Sequence, residues 1–326
     1  MREAVVRRAQ DAFARGADWL RHHLLQPAAP DLAVEARPQA LAVVRLTREG
    51  KRPVVGAAAA LELPPGCLKL SLTEPNVLDP AAFQKTLEVV LERAGALKES
   101  RAALVLPDPV ARLCLLPAAE VTARGGTDTE EFLRFRLRKA VPFEVRQARL
   151  GLLRPRVAGA DNVLAAAVYQ PVLDGYEAAL QALGLHAGQV EIGALALLDR
   201  AVQPRGPLDQ LFVNWDEGYV TLVLTRAGWP LLIRTLTEVA ATPENVVREV
   251  ATTVVYYRDR LQGTGLGAAV LRSAALPPDE AIALLAEPLG VIPEVLDPWG
   301  PLGGEDRGAT SQALAGAACC LARRAA

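Results

Sequence analysis

The chain has almost no net charge, with 36 Lys and Arg against 37 Asp and Glu, for −1 overall. Phosphate backbones demand a basic surplus, so nucleic acid is excluded as the main ligand. No apolar run reaches the roughly 18–20 residues that a membrane helix needs. Residues 1–26 lack the continuous apolar core of a secretory signal. The four cysteines form no metal pattern. Cys67 and Cys114 are isolated among apolar neighbours, and Cys319 and Cys320 are adjacent, a poor geometry for a disulfide. All four are expected to be reduced core residues of a cytosolic protein. The histidines, His22, His23 and His186, stand near no Ser or Cys phrase that suggests a nucleophile. There is no glycine-rich dinucleotide fingerprint. Catalytic residues, cofactor and metal are therefore all expected to be absent.

What the chain does have is apolar patterning. At 326 residues and 51% hydrophobic, it can bury a large core and divide into domains. Residues 211–236 (LFVNWDEGYVTLVLTRAGWPLLIRTL) alternate as three consecutive strands, with Gly218 and Gly228 at the reversals, where positive φ is required. Thr242-Pro243-Glu244 then opens a helix, threonine as N-cap and proline in the first turn. Val246, Val250, Val254, Tyr257 and Leu261 share one face of it. The same order is expected earlier. Residues 40–46 and 53–61 read as strands around the polar turn Thr47–Arg52, with a third strand through Leu68-Lys69-Leu70. A helix follows over 79–95, with Phe83, Leu87, Val90, Leu91 and Ala94 inward. Two βββα units so spaced are the plan of a two-lobed, actin-like molecule with a cleft between its halves.

Residues 1–26 read as an amphipathic helix. Val6, Phe13, Leu20 and Leu24 lie on one face and Arg7, Arg8 and Arg15 on the other. Such a helix packs on protein or lies on an anionic membrane surface. Pro27, Pro30 and Pro38 read as a linker. Strands are expected at 102–106, 110–116, 148–153, 163–169, 188–192, 268–271 and 291–295. Helices are expected at 127–140, opened by a Thr127/Glu130 capping box, and at 171–183, 193–203, 279–289 and 310–323. The segment 299–308 reads as a mobile, glycine-rich loop.

Several phrases in this order resemble one family. They are LVLPDPVARLCLLP (104–117), EEFLRFRLRKAVPFE (130–144), NVLAAAVYQPVLDGYEAALQALGL (162–185), FVNWDEGYVTLVLTRAGWPLLIRTL (212–236) and PLGVIPEVLDPWG (288–300). Together they resemble PilM, the cytoplasmic actin-like protein of type IV pilus assembly, and more distantly the cytoplasmic part of GspL and the division protein FtsA. The resemblance covers residues 40–323. It implies an α/β, actin-like (ribonuclease H-like) fold of two lobes, 31–205 and 206–326; the N-terminal segment 1–30 has no counterpart in the family. A small α/β subdomain at about 104–170 is inserted in the first lobe.

The resemblance also implies a partner. PilM-like proteins take the short cytoplasmic N-terminal segment of a membrane protein, PilN, into a groove beside the insertion, by extended-peptide capture. Phe135, Val141, Pro142 and Phe143 are the candidate apolar lining and Arg138 a candidate polar anchor. Actin-like ATPases hold phosphates in both hairpin turns, with an Asp-x-Gly phrase and a hydroxyl at each. The first turn, placed at Val44–Gly50, has no such phrase. In the second, Asn214 and Asp216 replace the expected acid and glycine ahead of Gly218, and Asp216 and Glu217 together would repel a triphosphate. Where adenosine would need a Gly-Gly pair, the chain reads Arg272-Ser273-Ala274-Ala275. The site formed by Asn214, Asp216, Gly218, Ser273 and Ala274 is thus expected to be degenerate. The expected function is a non-enzymatic scaffold on the cytoplasmic face of the inner membrane. It would bind a PilN-like segment, contact a pilus or secretion platform and its motor, and reach the membrane through its partner or residues 1–26. The alternatives are an active actin-like ATPase and a GspL-like secretion component.

Overall fold

A computed structural model describes residues 30–122, 126–155, 160–202, 208–237, 242–303 and 309–323. The expected N-terminal helix over 1–26 lies outside the described residues.

The molecule is built on two sheets with the same wiring. In the first, β1 (Leu32–Arg37), β2 (Ala40–Glu49) and β3 (Arg52–Glu62) form an antiparallel meander. Helix α1 (Pro80–Arg93), capped by Asp79, leads into β4 (Arg101–Leu106), which pairs parallel to β1. An insertion follows, and then α4 (Gln170–Gln181), β8 (His186–Ile192) and α5 (Gly193–Ala201). The strand order is β3-β2-β1-β4-β8. The second sheet repeats it with β9 (Asp209–Asp216), β10 (Tyr219–Arg226), β11 (Trp229–Leu236), β12 (Leu266–Ser273) and β13 (Glu294–Val295), in the order β11-β10-β9-β12-β13. Helices α6 (Pro243–Arg260) and α7 (Pro278–Leu289) flank β12 in the chain, and α8 (Ala309–Ala313) and α9 (Ala315–Ala322) close the described residues.

The second unit forms as its sequence indicates. Gly218 and Gly228 both take φ of 79° at the two reversals. Thr242 accepts a hydrogen bond from the Asn245 amide and Pro243 occupies the first turn of α6. The first unit differs. Its third strand is not 68–70, where only an isolated bridge, Leu68 to Val77, occurs. It is β1, within the stretch read as a proline linker. Every residue of β1 is buried. Glu35 and Arg37 disguise it, because their charges enter a buried network and not solvent. The first hairpin turn facing the second lobe is therefore Pro38-Gln39, closed by the pair Arg37–Ala40. The turn at Gly50-Lys51 joins β2 to β3 at the opposite end of the sheet.

Packing follows the pleat. One face of β1 and its neighbours presents Leu32, Val34, Leu41, Val43 and Leu104 to Phe83, Leu87, Val90 and Tyr176 of α1 and α4. The other face presents the small residues Ala33, Ala42 and Ala103 to Ala317 and Ala318 of α9, so this helix lies close to the sheet. Expected with the second lobe, α9 packs instead on α5 and on β1, β2 and β4. It also touches the second sheet, since Ala315 and Cys319 cluster with Leu197, Leu198, Phe212 and Val270. Helices α5 and α9 thus form the layer between the sheets. Trp299 and Leu302 belong to this core as well, with the Trp299 indole donating to Ser311 Oγ, so the start of the expected mobile loop is anchored.

The insertion comprises β5 (Ala111–Pro117), α2 (Ala118–Thr122), α3 (Gly126–Leu137), β6 (Ala148–Leu153) and β7 (Asn162–Tyr169), its sheet ordered β5-β7-β6. Leu133, Leu137, Val141 and Val145 pack on Val163 and Ala165. It also touches the second lobe: Trp229 Nε1 donates to Asn162 Oδ1 at 2.6 Å, and Asn162 Nδ2 donates to the Pro230 carbonyl at 3.2 Å. The four cysteines are free, Cys114 half-buried and the others buried. Among the described residues no helix is long and apolar enough to cross a membrane.

Candidate functional site

The two sheets meet at their hairpin corners. Arg37 closes the first hairpin and Asp216 the second, so they hold equivalent places in the repeated unit. Their side chains join across the cleft. Arg37 Nη2 lies 2.8 Å from Asp216 Oδ1, and Arg37 Nε donates to Asp216 Oδ2 at 3.1 Å. The same Nη2 reaches Glu217 Oε2 at 3.2 Å and the Ala274 carbonyl at 3.5 Å. From the other side Arg272 of β12 donates through Nη1 to Asp216 Oδ2 and to Asn214 Oδ1. Both arginines and Asp216 are buried.

Two further carboxylates extend the network. Asn214 Nδ2 donates to Asp108 Oδ2 at 2.8 Å, and the other oxygen of Asp108 accepts from the Ala194 amide in the first turn of α5. Glu35 Oε1 lies 3.5 Å from Arg272 Nη2, and its Oε2 accepts from the Ala317 amide in the first turn of α9 at 2.9 Å. Each acid thus caps a helix whose first amides point at it. Glycine makes room for one of them: a Cβ on Gly316 would come within 2.4 Å of Glu35. The Arg272 Nε bond to the Gln312 carbonyl closes the set.

The electrostatics follow from burial and pairing. Burial pushes the Asp216 carboxyl up, but Arg272 and Arg37 outweigh it and hold it well below the usual carboxylate range. Burial raises Glu35, against the pull of Arg272 and Arg37. Burial likewise raises Asp108, whose partners are hydrogen-bond donors more than charges. The cleft therefore holds a self-compensated cluster in which two guanidiniums face the pair of hairpin turns.

The residues expected at the nucleotide place do come together here. Asn214 and Asp216 belong to the network, and Gly218 makes the turn. The Ala274 amide donates to the Trp215 carbonyl, and Ser273 Oγ donates to the Leu276 carbonyl. Sequence reasoning missed Glu35, Arg37 and Asp108. The signal that could have found Glu35 and Arg37 is the placement of charge inside an otherwise apolar strand, which is costly unless paired; Asp108 lies in the turn after β4.

A second feature lies on the insertion. A groove of about 680 Å³ runs between α3 and β6, lined by Glu130, Leu133, Arg134, Arg146, Arg149 and Leu150 among others. Among the described residues β6 pairs with β7 and with no other strand; Arg134 Nη1 donates to the Ala148 carbonyl at its start, and the rest of its outer edge carries no strand. The five partner-contact candidates do not line this groove. Phe135 is 68% exposed on another face of α3, with Arg138 over its ring at 5.9 Å. Val141 is buried in the insertion core, Phe143 stacks on Tyr169 with centroids 4.8 Å apart, and Pro142 is exposed between them.

Two sheets of one strand order facing across a cleft, with a helix layer between them, define the actin-like fold. Among solved structures the chain is similar to the one described as the PilM–PilN type IV pilus biogenesis complex, at 20% identity and TM-score 0.71, over 92% of this chain and 99% of that one. It also matches a protein of actin-like ATPase fold from Bacteroides thetaiotaomicron at 10% identity and TM-score 0.49, over 82% of this chain and 91% of that one. A third match is the cytoplasmic domain of EpsL, an inner-membrane component of the Vibrio cholerae type II secretion system. There the identity is 11% and the TM-score 0.46, over 74% of this chain and 81% of that one. No protein-family model and no curated protein sequence matches the chain.

Proposed function

We propose that this protein is a scaffold of a type IV pilus or related secretion platform, with a cleft given over to holding its lobes together. The observation that carries the reading is the pair of opposed hairpin corners bridged by Arg37, Asp216 and Arg272. In an actin-like ATPase the space between those turns receives phosphates and a metal. Here two arginines and their carboxylate partners fill it, and binding a triphosphate would mean breaking a buried ion pair. The protein carries out no phosphate chemistry in this reading.

Its working surface is then the insertion. The groove beside β6 offers an open strand edge, apolar wall residues Leu133 and Leu150, and guanidiniums at Arg146 and Arg149. That is the equipment for taking an extended peptide, main-chain pairing for affinity and side-chain pockets for specificity. The likeness to the PilM–PilN complex structure supports a PilN-like segment as the peptide. The protein works at the cytoplasmic face of the inner membrane, held there by its partner or by residues 1–26.

The test is fluorescence anisotropy with a labelled peptide copying the cytoplasmic N-terminal segment of a PilN protein. Saturable binding is expected, weakened about tenfold or more by Leu150→Asp, since a charge in an apolar subsite costs about 1.4 kcal/mol or more. Phe135→Ser, on the other face of α3, is expected to leave it unchanged. Binding abolished by Phe135→Ser and untouched by Leu150→Asp would move the partner site to the face that carries Phe135 and Arg138.

A further inference from the structure

The charges around the groove on the insertion do not balance. Its charged lining residues are Glu130, Arg134, Arg146 and Arg149. The one acid among them is already taken, since Arg134 donates to Glu130 Oε1 through Nη2 at 2.8 Å and Nε at 3.3 Å. Arg134 also turns its Nη1 to the Val145 carbonyl at 2.6 Å. Arg146 and Arg149 are exposed and have no hydrogen bond or ion pair among the described residues. On α4, burial raises the Glu177 carboxyl and the charge of Arg149 offsets part of that, but the two form no ion pair. Asp174, nearby on α4, accepts from Gln170. The groove thus holds two guanidiniums without a carboxylate bound to either.

Strand β6 fixes where one of those charges stands. Its ladder with β7 runs from Ala148 to Leu153 without a register shift, so its side chains alternate strictly. Ala148, Leu150 and Leu152 face α3, where they pack with Leu133 and Leu137. Arg149, Gly151 and Leu153 face the other way, and Leu153 packs there on the core shared with α4. Gly151 is exposed and adds no side chain beside Arg149. A chain laid along the outer edge of β6 repeats the same alternation, because directly opposed residues project from the same sheet face. When one of its side chains enters the apolar side with Leu150, its neighbours in sequence come over Arg149 and Gly151. A carboxylate there meets a guanidinium with free N–H groups, whereas a lysine or arginine adds a third like charge.

We propose that the groove selects an acidic segment: an extended peptide whose apolar residue seats against Leu133 and Leu150 and whose adjacent Asp or Glu pairs with Arg149. The inference rests on the peptide-docking reading above and adds the sign of charge that the partner must bring. The experiment is fluorescence anisotropy of the full chain with three labelled peptides of sequence SVXLXVS, X being aspartate, asparagine or lysine, run beside the PilN segment. The aspartate peptide is expected to bind about fivefold tighter than the asparagine peptide, with the lysine peptide weakest and the gaps closing as salt rises. Arg149→Glu is expected to reverse the order and favour lysine, a gain that a misfolded variant would not produce. Failure of the aspartate peptide to bind, equal affinities for the three, or an order that survives Arg149→Glu would overturn the acidic preference, and a PilN segment that still binds would leave the groove reading standing. Absence of binding by every peptide, the PilN segment included, would remove both.

Discussion

Arg37 and Asp216 occupy one position in two copies of a repeated unit, yet they carry opposite charges. Two positions back, the first copy has Glu35 and the second Asn214. Across from these on the neighbouring parallel strand, the first copy has Val105 and the second Arg272. The backbones agree while the chemistry is complementary. What a repeat of this kind needs at its two corners is set by what lies between them. The two corners satisfy each other, because an unpaired charge at this depth is costly.

Breaking that complementarity on one side has the largest expected effect. Asp216→Asn strips two buried arginines of their shared counter-ion and is expected to cost about 3–5 kcal/mol in urea unfolding. The double replacement R37M/D216L leaves one buried arginine without that counter-ion in place of two, and is expected to cost clearly less than Asp216→Leu alone. The pH dependence has two opposed parts. The folded pKa of Asp216 lies below its unfolded value of about 4, so its stabilisation is present above that value and is lost progressively as pH falls from there toward the folded one. Glu35 and Asp108 are raised, so their contribution is fullest when protonated and declines as pH climbs from their ordinary values toward the raised ones. Unfolding measured from pH 3 to pH 7 is expected to show an acid-side loss that is absent in Asp216→Asn.

A change of intermediate size separates the insertion from the second lobe. Trp229→Ala is expected to cost about 2–3 kcal/mol, because the indole is only part-buried but also bonds Asn162. Thermal unfolding followed by tyrosine or far-ultraviolet signals should register it. The smallest is Gly316→Ala, which drives a methyl against the Glu35 carboxylate and is expected to cost about 1–3 kcal/mol. The companion Gly316→Ala/Glu35→Ala variant should recover part of that loss if the clash is the cause.

The second lobe was the more legible in sequence, for a physical reason. Its strands alternate cleanly, its reversals carry Gly218 and Gly228 at positive φ, and its helix opens with a Thr-Pro cap. The first lobe hides its central strand. Pro30 and Pro38 bracket β1, and Glu35 and Arg37 sit where an edge or linker would place charge. The pattern of single residues cannot report that a charge is matched from 179 positions away. Asn214 and Asp216 could be singled out because their own hairpin is legible, whereas Arg37 is lost with its strand. The groove was invisible because it depends on which edge of a three-stranded sheet is left open. That is decided by β7 lying between β5 and β6. The closing helix was assigned to the nearer lobe in sequence, while its alanines fit the small-residue face of the first sheet.

The measurement that bears most directly on the filled cleft is a titration of the wild-type protein with a fluorescent ATP analogue in the presence of magnesium. No saturable binding is expected up to millimolar nucleotide, since the ligand would have to displace the Arg37–Asp216–Arg272 cluster. Micromolar binding, lost on Asp216→Ala, would contradict it and return the cleft to nucleotide chemistry.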